Sequence, residues 1–233
     1  MTALRHWAAL VRWDSVRELE RKDTLIAMSM VSLITLFIFS AAIPEIRERG
    51  SEVLLATRGG ILWVTFIFAG TIGIDRAFRG DGDGRLLEGL LMSPVSRATV
   101  YYARVTSTLL FVTIMEAMTL VLFLVLFNQS LDATGLLVVS VTTFATTLGF
   151  LAVGVILSAM TWSLRGGDAL LRILLFPILL PVIYAAVLIT NRAFDGKSPE
   201  TTQIVVIGAF DLVFLGAGQI LFEQVVDNVE ASS

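Results

Sequence analysis

The run LIAMSMVSLITLFIFSAAI, residues 25–43, holds 19 residues and not one charge. At 1.5 Å per residue a helix of that length covers about 28 Å, close to one hydrocarbon core. Its reading decides the fold, because such a run is long enough to span a bilayer. Five more apolar runs follow it: 59–74, 105–127, 135–162, 173–189 and 204–226. The second is short and ends at Asp75-Arg76, so it extends by a turn at one end or sits in a locally thin bilayer. The expectation is an all-α membrane protein with six transmembrane helices over residues 25–226.

Composition agrees. The chain has 233 residues, 56% of them hydrophobic and 16% charged, with a mean hydropathy of +0.83. A water-facing surface needs more charge than that, so lipid is the main solvent. The net charge of -3 and the lack of a long basic run give no support for nucleic-acid binding. With no cysteine there is neither a disulfide framework nor thiolate metal chemistry. His6 is the single histidine, which leaves no histidine pair for a metal or haem.

Residues 1–24 carry Asp14, Glu18, Glu20 and Asp23 beside five basic residues, and the run after them exceeds a signal-peptide core of about 7–15 residues. The segment therefore reads as retained. Leu4, Trp7, Ala8 and Val11 recur at helical spacing and predict a short helix over residues 3–11 lying in the membrane interface. Lys and Arg then set the orientation. Twelve fall in 1–24, 75–104 and the 163–172 turn, and five on the opposite side. The positive-inside rule puts both termini, the 75–104 loop and the tail 227–233 in the cytoplasm.

Residues 75–104, DRAFRGDGDGRLLEGLLMSPVSRATVYYAR, form the one sizeable cytoplasmic connection. The glycines and aspartates of 80–84 make a turn, and Arg85-Leu86-Leu87-Glu88-Gly89-Leu90-Leu91 reads as one or two helical turns. Ser93-Pro94 stops it, because a residue before proline is driven out of the α region. Leu86, Leu87, Leu90 and Leu91 make an apolar face on an element too short to build a core, so that face needs a partner or the membrane interface. A calcium loop is excluded, since it would need Asp or Asn at 85, Gly at 86 and Glu at 92, where the chain has Arg85, Leu86 and Met92. No G-x-x-x-x-G-K-[ST] occurs, and six spans leave no room for a nucleotide-binding domain. Any ATP is bound by another chain.

An N-terminal interfacial helix, six spans and a cytoplasmic Asp83-Gly84-Arg85-Leu86-Leu87-Glu88 element running to Pro94 resemble the small permeases of ABC exporters. Gly60-Ile61-Leu62-Trp63, Asp75-Arg76-Ala77-Phe78-Arg79, Leu148-Gly149-Phe150-Leu151 and Arg165-Gly166-Gly167 before an apolar run with two prolines resemble, more narrowly, the CcmB family. That family supplies a membrane-embedded permease of the haem exporter in cytochrome c maturation. The resemblance implies a non-catalytic component of the bacterial inner membrane. It implies that Gly84, Arg85, Leu86, Leu87, Glu88, Leu90, Leu91, Ser93 and Pro94 form a coupling helix seated on an ABC ATPase subunit. It also implies a haem-handling membrane subunit, a periplasmic haem chaperone, a homodimer within the complex, and haem as cargo of the complex, with no cofactor on this chain and ATP on its partner.

Several polar and special residues lie inside the spans. Glu116 is near the midplane of its span, where a carboxylate costs a few kcal/mol and must face protein or water. Asp211 lies about 10 Å into the last span. Two readings stay open: a pair lining a pathway, or carboxyls hydrogen-bonded by neighbouring helices, with Thr106, Thr108, Thr113, Thr143 and Thr147 as candidate donors. Thr65, Ala69 and Gly73, and Ala145 and Gly149, recur every four residues and permit close helix approach. Pro177 and Pro181 remove two backbone donors and are candidate hinges or a static kink. The residues alone also fit a permease for a lipid, glycan or drug, a proton-driven secondary transporter using Glu116 and Asp211, or an assembly scaffold. Inverted repeats would favour the secondary transporter, and none is seen between 25–127 and 135–226.

Overall fold

The computed structural model describes residues 2–21, 23–48, 51–79, 95–161 and 167–232. Among them are seven helices and no strand: α1 (Thr2–Arg21), α2 (Asp23–Glu48), α3 (Ser51–Arg79), α4 (Arg97–Leu126), α5 (Ala133–Thr161), α6 (Gly167–Phe194) and α7 (Thr201–Ser232). Six of these, α2 to α7, are long and apolar enough to cross a membrane. Each is longer than the apolar stretch that announces it. The helix α3 spans 29 residues where the sequence suggests 16, which removes any need for a thinned bilayer.

The segment expected as a loop over 75–104 is narrower. Residues 75–79 belong to α3, and 97–104 are the first turns of α4. The local cause at the second boundary is a cap. Ser96 has φ -63° and ψ 140°, and its hydroxyl accepts a 3.3 Å hydrogen bond from the Thr99 amide, satisfying an amide that the new helix cannot. The proposed coupling residues Gly84, Arg85, Leu86, Leu87, Glu88, Leu90, Leu91, Ser93 and Pro94 lie outside the described residues.

The other two described turns are equally local in origin. Asn128, at φ 47°, ends α4, and Asp132 caps α5 by accepting a 2.8 Å bond from the Gly135 amide. At the end of α6, Gly196 takes φ +67°. Its amide donates to Ala193 O at 3.1 Å while Lys197 N donates to Arg192 O at 2.8 Å, the paired bonds that satisfy the last carbonyls of a helix. Gln203 then reaches back to the Glu200 amide at 3.3 Å and opens α7.

α3, α4 and α5 form the centre of the bundle. α2 packs on α3 and α4, α6 on α3 and α5, and α7 on α4, α5 and α6. α2 shows how little contact a span needs: Thr24, Met28, Ser32 and Leu36, one per turn, are buried, while Ile26, Met30, Ile34, Phe37 and Ile38 face outward. Lipid tails are as apolar as these side chains, so contact between helices rests on close packing rather than on escape from water. Small residues supply it. A Cβ at Gly73 would meet Val112 of α4 at 3.2 Å and Met28 of α2 at 3.3 Å, and one at Gly70 would meet Phe150 of α5 at 2.9 Å. Thr65 and Ala69, on the same stripe as Gly73, are fully buried. The stripe is a packing seam.

α1 differs from its expectation in length, running 20 residues rather than about nine. It packs against α4, to which Asp14 ties it. The helix α6 runs without a break through Pro177 and Pro181, both of them exposed. Lipid-facing prolines free the carbonyls of Ile173 and of Pro177 itself, four residues earlier in each case.

Candidate functional site

Three polar stations are spaced along the bundle. At the end that carries α1, Nη1 of Arg104 lies 3.0 Å from both carboxylate oxygens of Asp14, and Ser107 Oγ donates to Asp14 Oδ2 at 3.3 Å. Asp14 comes from α1 and the other two from α4, so α1 is pinned to the first turns of a span. Beside it, Tyr101 Oη donates to Ala152 O at 3.2 Å and to Phe214 O at 3.3 Å, and Tyr102 Oη reaches Leu215 O and Gln219 Oε1, both at 3.3 Å. Tyr101 is fully buried and fits only because residue 218 is glycine, where any Cβ would collide with its hydroxyl. The start of α4 is thereby tied to α1, α5 and α7 together.

At mid-depth, Thr147 Oγ1 of α5 donates a 2.6 Å hydrogen bond to Glu116 Oε1 of α4. Of the five threonines that could have met this carboxyl, one does. Thr106 instead bonds back to Tyr102 O of its own helix, and the hydroxyls of Thr113 and Thr143 have no partner among the described residues. Glu116 is 4% exposed, and its Oε2 lies in the interior. Asp211 is elsewhere. Its Oδ1 rests against the backbone of Gly149, where a Cβ would overlap it. Positions 147 and 149 point about 200° apart on α5, so the two carboxyls lie on opposite sides of that helix and do not form a pair. The start of α7 at Thr201 also places Asp211 deeper than expected, about 15 Å from the helix end.

At the far end, Arg58 of α3 is 5% exposed. Its guanidinium contacts the Asp195 carboxylate, donates to Asn191 O at 3.3 Å and to Gln129 Oε1 at 3.2 Å, and stands 5.0 Å above the Phe194 ring. Asn191 adds two bonds to the α3 backbone, accepting from Gly59 N at 2.9 Å and donating to Ala56 O at 3.0 Å. One turn further in, Trp63 Nε1 donates to Thr190 Oγ1 at 2.9 Å. The result is a clasp between α3, the α4–α5 connection and the end of α6. Between α5 and α7 on this half lies an apolar groove of about 350 Å³, lined by Val138, Val141, Ala145, Ile204 and Ile207 among others.

Neither the clasp nor the tyrosine ties can be read from the sequence, in which Arg58 passes for a loop cation. Partners 51 to 137 residues apart give no local signal. What could have drawn notice is Arg58-Gly59-Gly60 at the head of one span and Asn191 with Asp195 at the foot of another. Among the described residues, no three His, Asp or Glu side chains gather as a metal site.

A comparison with curated proteins gives no match. The family model described as CcmB protein matches residues 18–222, which takes in the spans of α2 to α6 and all but the last two residues of that of α7. The chain therefore belongs to the CcmB family, a multi-pass membrane component of the haem exporter ABC system in cytochrome c biogenesis.

Proposed function

We propose that this chain transmits work from a separate ATP-hydrolysing subunit into the membrane helices of the haem exporter. The observation that carries the reading is connectivity. Residues 80–96 connect α3 to α4, two of the central helices, along the chain, and α4 begins in turns already bonded to α1, α5 and α7. A force applied at Arg85 to Leu91 reaches most of the bundle through one helix. In this reading the α1 end faces the cytoplasm of a bacterial inner membrane, Leu86, Leu87, Leu90 and Leu91 seat on the ATPase, and Arg85 and Glu88 pair across that contact. Gly84 gives the turn before the element and Ser93-Pro94 its stop. A haem-handling membrane subunit and a periplasmic haem chaperone complete the complex, with haem as its cargo.

The test is co-purification in mild detergent. Leu87→Asp or Glu88→Arg is expected to strip the ATPase from the complex while the variant stays in the membrane at the normal level. An ATPase retained by both variants would overturn the proposal.

A further inference from the structure

A small cavity sits between α3, α4, α5 and α6, walled by Trp63, Phe66, Ile67, Phe150, Leu179 and Ile183, with Glu116, Thr146 and Thr147 completing it. It leaves about 10 Å³ for the centre of a water molecule, the room that one water needs. The wall is apolar except for a carboxyl and two hydroxyls, and two of those polar groups are unmet. Glu116 Oε2 and Thr146 Oγ1 have no hydrogen-bond partner among the described residues, and their residues are 4% and 2% exposed. Thr147 Oγ1 is already committed to Glu116 Oε1, and Trp63 Nε1 to Thr190. A cavity lined by hydrocarbon alone stays dry, whereas one that offers two or more polar partners holds water.

We propose that this cavity is a binding site for one water molecule, which bridges Glu116 Oε2 on α4 to Thr146 Oγ1 on α5. The site lies about 15 Å from the far end of α4, counted from Leu126, hence near mid-membrane. The water completes a second link between α4 and α5 beside the direct Thr147 bond. Because a water can exchange partners without a change of rotamer, the two helices can shift against each other here without stranding the carboxyl in an apolar setting.

The test is a density map of the full complex in lipid nanodiscs, at a resolution that shows ordered water. One peak is expected within hydrogen-bond distance of both Glu116 Oε2 and Thr146 Oγ1. It should persist in Thr146→Ser, which keeps the hydroxyl, and vanish in Thr146→Val, which keeps the volume. An empty cavity in the unmodified protein overturns the proposal. So does a peak that survives in Thr146→Val, or one ringed by enough oxygen ligands to be a cation. The first of these needs no variant to fold.

Discussion

Arg104 Nη1 stands 3.0 Å from both oxygens of Asp14, an ion pair between two helices whose side chains are 10% and 13% exposed. It lies eight residues into α4 and joins α1, the one described helix outside the six spans, to the bundle. Removing one partner of a pair this sheltered takes the nearest opposite charge from a group held out of water, which costs more than the pair gains by existing.

Asp14→Ala is accordingly expected to lower stability by about 2–4 kcal/mol, and Arg104→Ala by a similar amount. The exchanged pair, Asp14→Arg with Arg104→Asp, should recover part of that loss. Thermal unfolding of the three variants in one detergent checks it. Equal midpoints for the single and exchanged variants would show that the pair contributes nothing.

Glycines separate into two kinds. At Gly149 a Cβ would overlap Asp211 Oδ1 and lie 2.8 Å from Phe210, both on α7, while at Gly208 and Gly216 nothing stands within 4 Å. Gly149→Ala should therefore cost about 1–3 kcal/mol through overpacking, and Gly208→Ala or Gly216→Ala should be neutral or gain up to about 1 kcal/mol from helix propensity. Unfolding midpoints measured side by side decide this, and a neutral Gly149→Ala would mean that α7 can move away freely.

Glu116→Gln keeps an acceptor for Thr147 and the same volume, so stability should change by no more than about 1 kcal/mol. Glu116→Ala leaves a cavity and an orphaned hydroxyl and should cost about 2–4 kcal/mol. The amount of haem-stained c-type cytochrome in cells should follow the same order, close to normal with Gln and reduced with Ala. A dead Gln variant of normal stability would instead assign proton transport to this carboxyl.

The six spans and the N-terminal helix were legible because each is a local property. An uncharged run of 19 residues is enough to fix a span whatever surrounds it. Boundaries were less so. α3 extends past Gly59 because Arg58 is buried, and a buried arginine inside an apolar helix depends on partners far along the chain. Glu116 was recognisable as a residue that must face protein, and Thr147 stood among its five candidate partners. Which of the five would meet it was set by the rotation of α5 against α4, a quantity carried by no single stretch. The supposed Glu116–Asp211 pair failed for the same reason, since depth in the membrane says nothing of the azimuth at which a side chain leaves its helix.

The clasp at the far end has a consequence for α7. It binds α3, α6 and the turn after α4, and it leaves α7 out; just before α7, Glu200 pairs with Arg192, their side chains 55% and 33% exposed. An ion pair open to solvent is worth less than about 1 kcal/mol. Only 11% of the α7 span is enclosed by its neighbours, against 67% for α3. α7 is thus the least enclosed of the six spans, and most of its surface is left to the bilayer.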